Sequence, residues 1–402
     1  MKKKLITLLL VGFSAFAMSS CDNGDDASAV DAAIAAAEKM TYSELLEKAK
    51  EEVGDNTVQV FGNSSALSKA LTNFTEATGI KIGNNKLGDA ALYDKLFYTI
   101  GGGKYSADMV LIQDGNKLQT QMLNTNYLLD YTPLDYKDVL AEDDLNPTAA
   151  VYLNKVFMYN NTKDGKAGEL KNYFTNVWQV AGSSEDAGHI ANPSFKLPST
   201  ENVNMNFLVM LTSPEWCEKL SSAYKDFYGK DYVAEGKYQN IGYKWIAEFM
   251  QNVKAHSSDG TACKDTAAGT SGTTVYCNFN KLKDCKETGV GKKDAANLTT
   301  AALEGSGVKG FGGFVYKMYS MVARNAKYPY AACALINYIL STEGFEGAWG
   351  TNLGYYSTNP NAPIAEGDKA LSWWKQNCVI EDPSYVASVY LDVSQFISQF
   401  ES

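Results

Sequence analysis

The chain has 402 residues, of which 45% are hydrophobic and 20% charged, and its formal net charge is -10. This length allows two domains of ordinary size, each with its own core, and the composition is that of a globular protein. The acidic balance excludes a nucleic-acid-binding role, because phosphate recognition needs a basic stripe that the sequence lacks.

The N-terminus carries an export signal. Met1 to Lys4 is basic, and Leu5 to Ala17 is an apolar run too short to span a bilayer. The segment ends in Met18-Ser19-Ser20-Cys21. This pattern resembles a bacterial lipoprotein signal, although that family prefers Leu, Val or Ile where Met18 stands. It implies removal of residues 1–20 and lipidation of Cys21 with palmitate-type chains; the alternative is a plain secretory signal. Either way, we expect an extracytoplasmic protein.

Six further cysteines remain after Cys21. An even number in an oxidising compartment permits disulfides, but six allow fifteen pairings. We expect at least one bridge within the cluster Cys263, Cys277 and Cys285, and the 263–277 loop is the favoured candidate. A zinc site is not expected, since there is no Cys-x-x-Cys pair. The six are Cys217, Cys263, Cys277, Cys285, Cys333 and Cys378.

Residues 21–54 are predicted to form a flexible acidic tether and a lead-in helix, with Leu45, Leu46 and Ala49 on one face. The stretch from Thr57 to Ile82 then predicts a strand, a turn, a helix and a second strand. Its turn, Gly62-Asn63-Ser64-Ser65, offers N-cap residues, and Gly79 stands where a C-cap glycine would end the helix. Such a turn can bind an anion through free N–H groups.

A helix is predicted from about Ala91 to Ile100, followed by a flexible glycine turn. Ala107 to Ile112 is typical of a strand buried in a parallel sheet. It ends in Gln113-Asp114-Gly115, at the strand edge where open α/β sheets bind ligands. A helix is predicted again over Leu118 to Leu123.

The next segments predict a second strand–loop–helix unit. Val156 to Asn161 is a predicted strand, and Gly188 to Ser194 is a predicted strand that runs into a loop. Ser199 to Asn202 is predicted to cap a helix that carries Phe207, Leu208 and Met210. Residues 214–256 have a helical pattern, whereas 257–300 are predicted to be loops with one short strand near Val275.

The C-terminal part predicts a return to the first domain. Lys309 to Tyr316 is a predicted strand loosened by glycines, and Pro329 to Leu340 is a predicted amphipathic helix. Gly354 to Asn361 is a predicted polar aromatic loop, and Tyr385 to Phe400 a closing helix.

Several of these segments, in order, resemble one family: the bacterial extracellular solute-binding proteins of ABC importers, with the type 2 periplasmic-binding fold and in its ferric-ion-binding-like branch. The resemblance is carried by FTEATGIKI, YSADMVLIQDG, VFMYNNT, KYPYAACALINYILSTEGFEGAWG and GYYSTNP. It implies an α/β fold of two lobes joined by two crossovers, with a ligand cleft between them. Lobe 1 would be 55–156 plus 312–402, lobe 2 would be 160–305, and the crossovers would be Val156–Asn160 and Gly310–Val315.

The matched positions give an expected ligand-binding set from both lobes and from the hinge. Asp114 would be an acceptor or a partner for a cation. The pair Tyr355 and Tyr356 could stack on a ring or, if ionised, ligate ferric iron; packing or a general cleft wall is favoured over metal ligation. The set is Asn63, Ser64, Ser65, Asp114, Tyr159, Asn160, Ser194, Ser199, Thr200, Tyr355 and Tyr356.

The resemblance implies a monomeric, non-catalytic binding protein, lipid-anchored through Cys21, that delivers a small solute to an ABC permease. No cofactor or resident metal is expected. Two alternatives are a secreted hydrolase, for which the sequence lacks a nucleophile elbow or metal triad, and a surface sensor or adhesin that kept the fold without transport. Ferric ion, a sugar phosphate and, through Asp114, a polyamine remain open as ligands.

Overall fold

The fold is seen in a computed structural model, which describes residues 24–182, 188–286 and 295–401. The expected signal peptide and Cys21 lie outside the described residues. The strands are β1 (Thr57–Gly62), β2 (Lys81–Lys86), β3 (Met109–Gln113), β4 (Leu128–Leu129), β5 (Ala149–Asn160), β6 (Ser194–Lys196), β7 (Lys254–His256), β8 (Thr274–Asn278), β9 (Leu298–Thr300), β10 (Gly313–Ala323), β11 (Tyr355–Ser357) and β12 (Val379–Ile380).

The helices surround this sheet on its faces and edges. They are α1 (Gly24–Ala37), α2 (Tyr42–Val53), α3 (Leu67–Thr78), α4 (Asp89–Ile100), α5 (Gly115–Lys117), α6 (Asn202–Met210), α7 (Pro214–Tyr228), α8 (Ile241–Asn252), α9 (Asp259–Ala268), α10 (Leu282–Lys286), α11 (Pro329–Leu340), α12 (Thr342–Ala348), α13 (Leu371–Asn377) and α14 (Pro383–Ser398). Within the described ranges, none of them is both long and apolar enough to cross a bilayer.

The strands form one continuous mixed sheet in the order β2-β1-β3-β10-β5-β8-β6-β7. In lobe 1, β1 is parallel to both β2 and β3; in lobe 2, β6 is parallel to both β7 and β8. The long strands β5 and β10 are antiparallel partners at the centre and link the two sets. The α/β, two-lobe architecture expected from the sequence is therefore confirmed, while the exact lobe boundaries stay a prediction.

Close packing at the centre requires a glycine. Gly313 pairs with Val156, and a Cβ at Gly313 would lie 2.1 Å from the carbonyl oxygen of Lys155. A backbone atom cannot move away as a flexible side chain can, so a larger residue would force the two central strands apart. The glycines of the returning strand thus permit close strand contact.

The first strand–turn–helix–strand unit is confirmed as β1, α3 and β2, and Gly79 ends α3 in the left-handed conformation, with φ 79°. Its predicted capping is wrong. α3 begins after Ala66, which makes no side-chain cap, because Ser64 Oγ accepts a hydrogen bond from Trp349 Nε1 (3.3 Å) instead. Likewise, Ser199 and Thr200 do not cap α6, since a 3₁₀ turn over Pro198–Thr200 precedes it.

Other boundaries differ where local pattern was weak. The segment 24–37 is helical as α1 rather than a flexible tether, and residues 257–286 contain α9 and α10 as well as β8. β6 covers only Ser194–Lys196 of the strand expected from Gly188, and β7 replaces the end of the predicted helical stretch. Part of the aromatic loop is β11, because Tyr355 to Ser357 pair with β5. By contrast, α11 has the predicted bounds.

The six described cysteines are free thiols. The bridge expected in the cluster of Cys263, Cys277 and Cys285 is therefore not formed in this structure, although the three side chains are buried together in one apolar cluster. The Sγ atoms of Cys263 and Cys285 lie 3.4 Å apart, a contact between thiols rather than a bond.

Candidate functional site

A polar cavity of about 610 Å³ lies between the two lobes. Its walls include residues that end or follow β1, β3, β6, β7 and β8, so carboxyl ends of strands from both lobes open onto it, as expected for ligand sites in α/β sheets. It is lined by Asn63, Ser64, Ser65, Ala66, Gly88, Gln113, Leu153, Lys196, Glu201, Ser258, Asp259, Gly260, Thr261, Lys264, Asn278, Asn280, Lys281, Lys283, Asp284, Tyr316, Met318 and Tyr355.

The lobe 1 wall is the turn between β1 and α3. Asn63, Ser64 and Ser65 all line the cavity, as the sequence predicted. The turn is held from two sides, because Trp349 Nε1 donates to Ser64 Oγ and Lys86 Nζ donates to Ser65 Oγ (2.8 Å). These contacts fix the turn and present its polar groups to the cavity.

The lobe 2 wall contains the N-terminus of α9, which sequence reasoning missed. Ser258 caps the helix, since its Oγ accepts from the backbone N–H of Thr261 (3.1 Å). Residues 258–261 line the cavity, so the partly positive N-terminal end of the helix faces it. A Cβ on Gly260 would lie 3.1 Å from Asp284 Oδ2, so the glycine lets α10 approach. The sequence signal was the Ser-Asp-Gly-Thr cap at 258–261, which the polar composition of 257–300 obscured.

Four lysines line the cavity: Lys196, Lys264, Lys281 and Lys283. Lys196 pairs with Glu201, and Lys281 lies 3.8 Å from Asp284. Burial and the neighbouring Lys281 lower the pKa of Lys283, whose Nζ donates to Asn352 (2.8 Å). Lys264 is half-buried and forms no ion pair with any described residue.

A buried ionic cluster stands behind the cavity floor. The Nζ of Lys155, on β5, is fully buried; it lies 3.2 Å from Asp259 and 3.4 Å from Glu201, and it donates to Asn204 Oδ1 (2.8 Å). Burial alone would lower the pKa of Lys155, but the two carboxylates raise it overall. Burial would raise the pKa of Glu201, yet Lys155 and Lys196 hold it below its usual value. The ammonium of Lys155 thus helps to stabilise the ionised form of Glu201 and lies at ion-pair distance from Asp259.

Two tyrosines complete the wall with amide partners. Asn280 Nδ2 donates to the hydroxyl of Tyr355 (3.0 Å), and Asn278 Nδ2 donates to that of Tyr316 (2.7 Å). Burial raises the pKa of Tyr355 to about 12, and it raises that of Tyr316 well above 10. Both phenols are therefore protonated near neutral pH and act as neutral hydrogen-bonding groups there.

Tyr355 and Tyr356 do not act as a pair. They lie on opposite faces of β11, and the Tyr356 hydroxyl donates to Asp368 Oδ2 (2.8 Å) away from the cavity. Of the two favoured roles, Tyr356 therefore shows packing and Tyr355 lines the cavity, because strand alternation separates adjacent side chains. In the part of the chain that the structure describes, no group of three or more His, Cys, Asp or Glu side chains could hold a metal ion.

The other predicted site residues do not line the cavity. Tyr159 donates to Glu304, and Asn160 Nδ2 donates to the carbonyl of Thr266 (2.8 Å). Ser194 is buried against Ser271, with their Oγ atoms 2.6 Å apart. These side chains serve the packing of lobe 2.

Ser199 and Thr200 are exposed on the 3₁₀ turn before α6, outside the cavity. The Thr200 hydroxyl donates to the carbonyl of Leu197 (3.0 Å), and the Ser199 backbone N–H donates to Glu401 (3.0 Å). The lobe 2 contribution to the cavity thus comes from α9, about 60 residues further along the chain than the capped turn predicted at Ser199 to Asn202.

Asp114 is fully buried and serves a contact between elements instead of the cavity. Asn206 Nδ2 donates both to Asp114 Oδ1 and to Glu381 Oε1, each at 2.8 Å. Burial and the adjacent Asp114 raise the pKa of Glu381 to about 8, and burial raises that of Asp114. Two carboxyl groups are therefore joined through one amide on α6.

The sequence and the fold were compared with those of known proteins. No family model and no curated protein matches the sequence. Solved structures do match. The ferric-binding protein of Campylobacter jejuni matches with a TM-score of 0.61 and 13% identity, over 86% of this chain and 99% of that one. Iron-bound HitA of Pseudomonas aeruginosa matches with a TM-score of 0.63 and 13% identity, over 86% and 99% of the chains.

A third match is AfuA of Actinobacillus pleuropneumoniae with fructose-6-phosphate bound, at a TM-score of 0.61 and 13% identity, over 86% of this chain and 98% of that one. The fold is that of a type 2 periplasmic binding protein. It takes the form found in ferric-binding proteins, which agrees with the resemblance drawn from the sequence. At this level of identity, the likeness concerns the fold.

We expect replacement of Lys155 by Met to lower the free energy of unfolding by about 3–5 kcal/mol, because it leaves Glu201 and Asp259 buried without their shared cation. Urea unfolding measures this directly. Lys225→Met is the matched control, since Lys225 is an exposed lysine that pairs only with the exposed Asp231. A loss for Lys155→Met no larger than that of the control would contradict the assigned role of the cluster.

We expect Glu381→Gln to remove part of the pH dependence of stability. A carboxyl group whose folded pKa is about 8 keeps its proton while the unfolded chain releases it above pH 4.5, so stability falls as pH rises between these values. Between pH 5 and pH 8, the free energy of unfolding of the variant should therefore rise by roughly 3 kcal/mol relative to that of the wild type. Urea unfolding at several pH values measures this. Glu215→Gln is the exposed control, and a pH-independent difference for Glu381→Gln would refute the prediction.

Proposed function

We propose that this protein is the solute-binding component of an ABC-type importer, and that its solute is a polar, phosphate-bearing molecule such as a sugar phosphate. The observation that carries this proposal is the two-lobed cavity, with polar groups from both lobes and a cationic wall. Closure of two lobes on a solute would exclude water, and the solute would stabilise the closed state by its differential affinity.

The anionic part of the solute is assigned to the lobe 2 wall. Lys264, Lys281 and Lys283 line it beside the N-terminus of α9, and these features favour negative charge together. Lys264 has no carboxylate partner among the described residues, so its charge is available to a ligand.

The hydroxyl-bearing part of the solute is assigned to the cavity floor. Asp259 Oδ1 and Asn280 Oδ1 are buried and accept no hydrogen bond within the described structure. Acceptors of this kind are costly unless a donor reaches them, and sugar hydroxyl groups are suitable donors. The combination of cations at one wall with acceptors at the floor favours a phosphorylated polyol over a simple anion.

Ferric ion and polyamines are less well supported. The protonated phenols of Tyr355 and Tyr316 are poor ligands for ferric ion, and Tyr356 points elsewhere. The case for a polyamine depended on Asp114, which lies outside the cavity. Among the matched structures, AfuA holds fructose-6-phosphate and HitA holds iron, so both ligand classes occur on this fold.

The test is a binding series on the purified protein with fructose 6-phosphate, fructose, inorganic phosphate, ferric citrate and spermidine. We expect fructose 6-phosphate to raise the melting temperature most, corresponding to about 2.7 kcal/mol at 100 times its Kd. Lys264→Met should weaken binding about 10–100-fold by calorimetry, while Lys225→Met should not. Stabilisation by ferric citrate or spermidine alone would overturn the ligand assignment.

We further propose that the mature protein is a monomer anchored through acyl chains on Cys21, outside the cytoplasm and beside its permease. The support is the basic, apolar and small-residue pattern that precedes Cys21. Several buried acyl chains would hold the protein at a membrane surface without a transmembrane helix.

Replacement of Cys21 by Ser should release the protein from the membrane fraction, because the acyl chains have no thiol to join. Fractionation of the expressing cells followed by intact-mass measurement tests this. Cys217→Ser serves as the matched control, because it removes a thiol outside the signal. Equal membrane association of Cys21→Ser and wild type would refute the anchor while leaving the ligand proposal intact.

A further inference from the structure

Three buried thiols meet beside the lobe 2 wall of the cavity. Cys263 is on α9, Cys277 on β8 and Cys285 on α10, and each is at most 2% exposed. The Sγ atoms of Cys263 and Cys285 are 3.4 Å apart, and the thiol of Cys263 also hydrogen bonds with Cys277. Lysine and aspartate side chains on the same two helices line the cavity.

We propose that Cys263 and Cys285 form a disulfide in the exported protein, and that Cys277 remains a thiol. A disulfide needs its sulfurs at about 2.05 Å, so the pair must approach by little more than one ångström. Cys285 is on α10, a helix of only five residues, so the approach requires the movement of one short element. Cys277 is instead fixed within β8, where it pairs with Val156 of the central strand.

This pairing differs from the one that sequence spacing favoured. Cys263 and Cys277 are closer in sequence, and the shorter loop made their bridge the first candidate. In the fold, Cys277 belongs to the central sheet, whereas Cys263 and Cys285 are on adjacent surface helices. The two helices contact each other directly through these sulfurs.

The oxidant is a disulfide of the thiol–disulfide exchange class. The thiolate of Cys285 attacks one sulfur of that disulfide and releases one thiol, which leaves a mixed disulfide on Cys285. The thiolate of Cys263 then attacks Cys285 Sγ and releases the second thiol. Two electrons pass to the oxidant, and the two cysteine protons end on the released thiols.

The bond forms during folding rather than afterwards. In the folded chain, the hydrogen bond with Cys263 and burial raise the pKa of Cys285, so its reactive thiolate is disfavoured. Once formed, the bond would join α9, which carries Lys264, to α10, which carries Lys283 and Asp284. The cationic wall would then be held as one unit.

The test uses the full chain, exported into an oxidising compartment, denatured in acid without reductant, alkylated and digested. Mass spectrometry should recover a Cys263–Cys285 linked peptide pair, with the other four described cysteines alkylated. Recovery of alkylated Cys263 and Cys285, or of a Cys263–Cys277 link, would overturn the proposal.

Thermal unfolding gives a second readout. A reductant should lower the melting temperature of the wild type by roughly 2–5 °C, since it releases the constraint on the unfolded chain. Cys277→Ala should show the same reductant-dependent shift, whereas Cys285→Ala should show none. A shift that persists in Cys285→Ala, or disappears in Cys277→Ala, would assign the bond to another pair. None of these outcomes depends on which solute the cavity binds.

Discussion

The contact on which the cavity depends is the burial of one ammonium group, that of Lys155, between the two lobes. Its carboxylate partners, Glu201 and Asp259, line the cavity and come from two segments of lobe 2 that are far apart in sequence. Lys155 itself is on β5, at the register where the two central strands pair. Because a buried charge must be matched, these three segments are held in one arrangement. The ionic cluster thereby fixes both the shape and the charge of the cavity floor.

The same cluster shows how an acidic protein can contain a cavity wall lined by lysines. Within the cavity, Lys155 and Lys196 neutralise Glu201, and Lys155 also neutralises Asp259. Of the other lysines of the lobe 2 wall, Lys281 lies near Asp284, whereas Lys264 has no ion-pair partner among the described residues, and the α9 terminus adds to the positive field there. The net charge of the whole chain therefore says little about the charge inside the cavity.

A second buried group of polar side chains lies where α6 meets β3 and the segment before α14. Asn206 donates to both Asp114 and Glu381, and because burial and Asp114 raise the pKa of Glu381, the folded state is favoured when this carboxyl group is protonated. On the same helix, α6, Asn202 accepts a hydrogen bond from Lys117 and Asn204 accepts one from Lys155. The asparagines of α6 thus connect the lobes through hydrogen bonds that an entirely apolar helix could not make.

The sequence by itself determined the elements whose pattern is local. The unit from β1 to β2, the helix α11 and the α/β class follow from periodicity and from a glycine C-cap, and the turn with Asn63 to Ser65 does line the cavity. Tertiary structure decided the rest of the site. In the sequence, Lys155 is an ordinary strand residue, and only the folded chain brings its distant carboxylate partners close to it. Strand alternation directs the side chain of Tyr356 away from the cavity. Contacts between residues far apart in sequence leave no local pattern, because they arise only when the chain is packed.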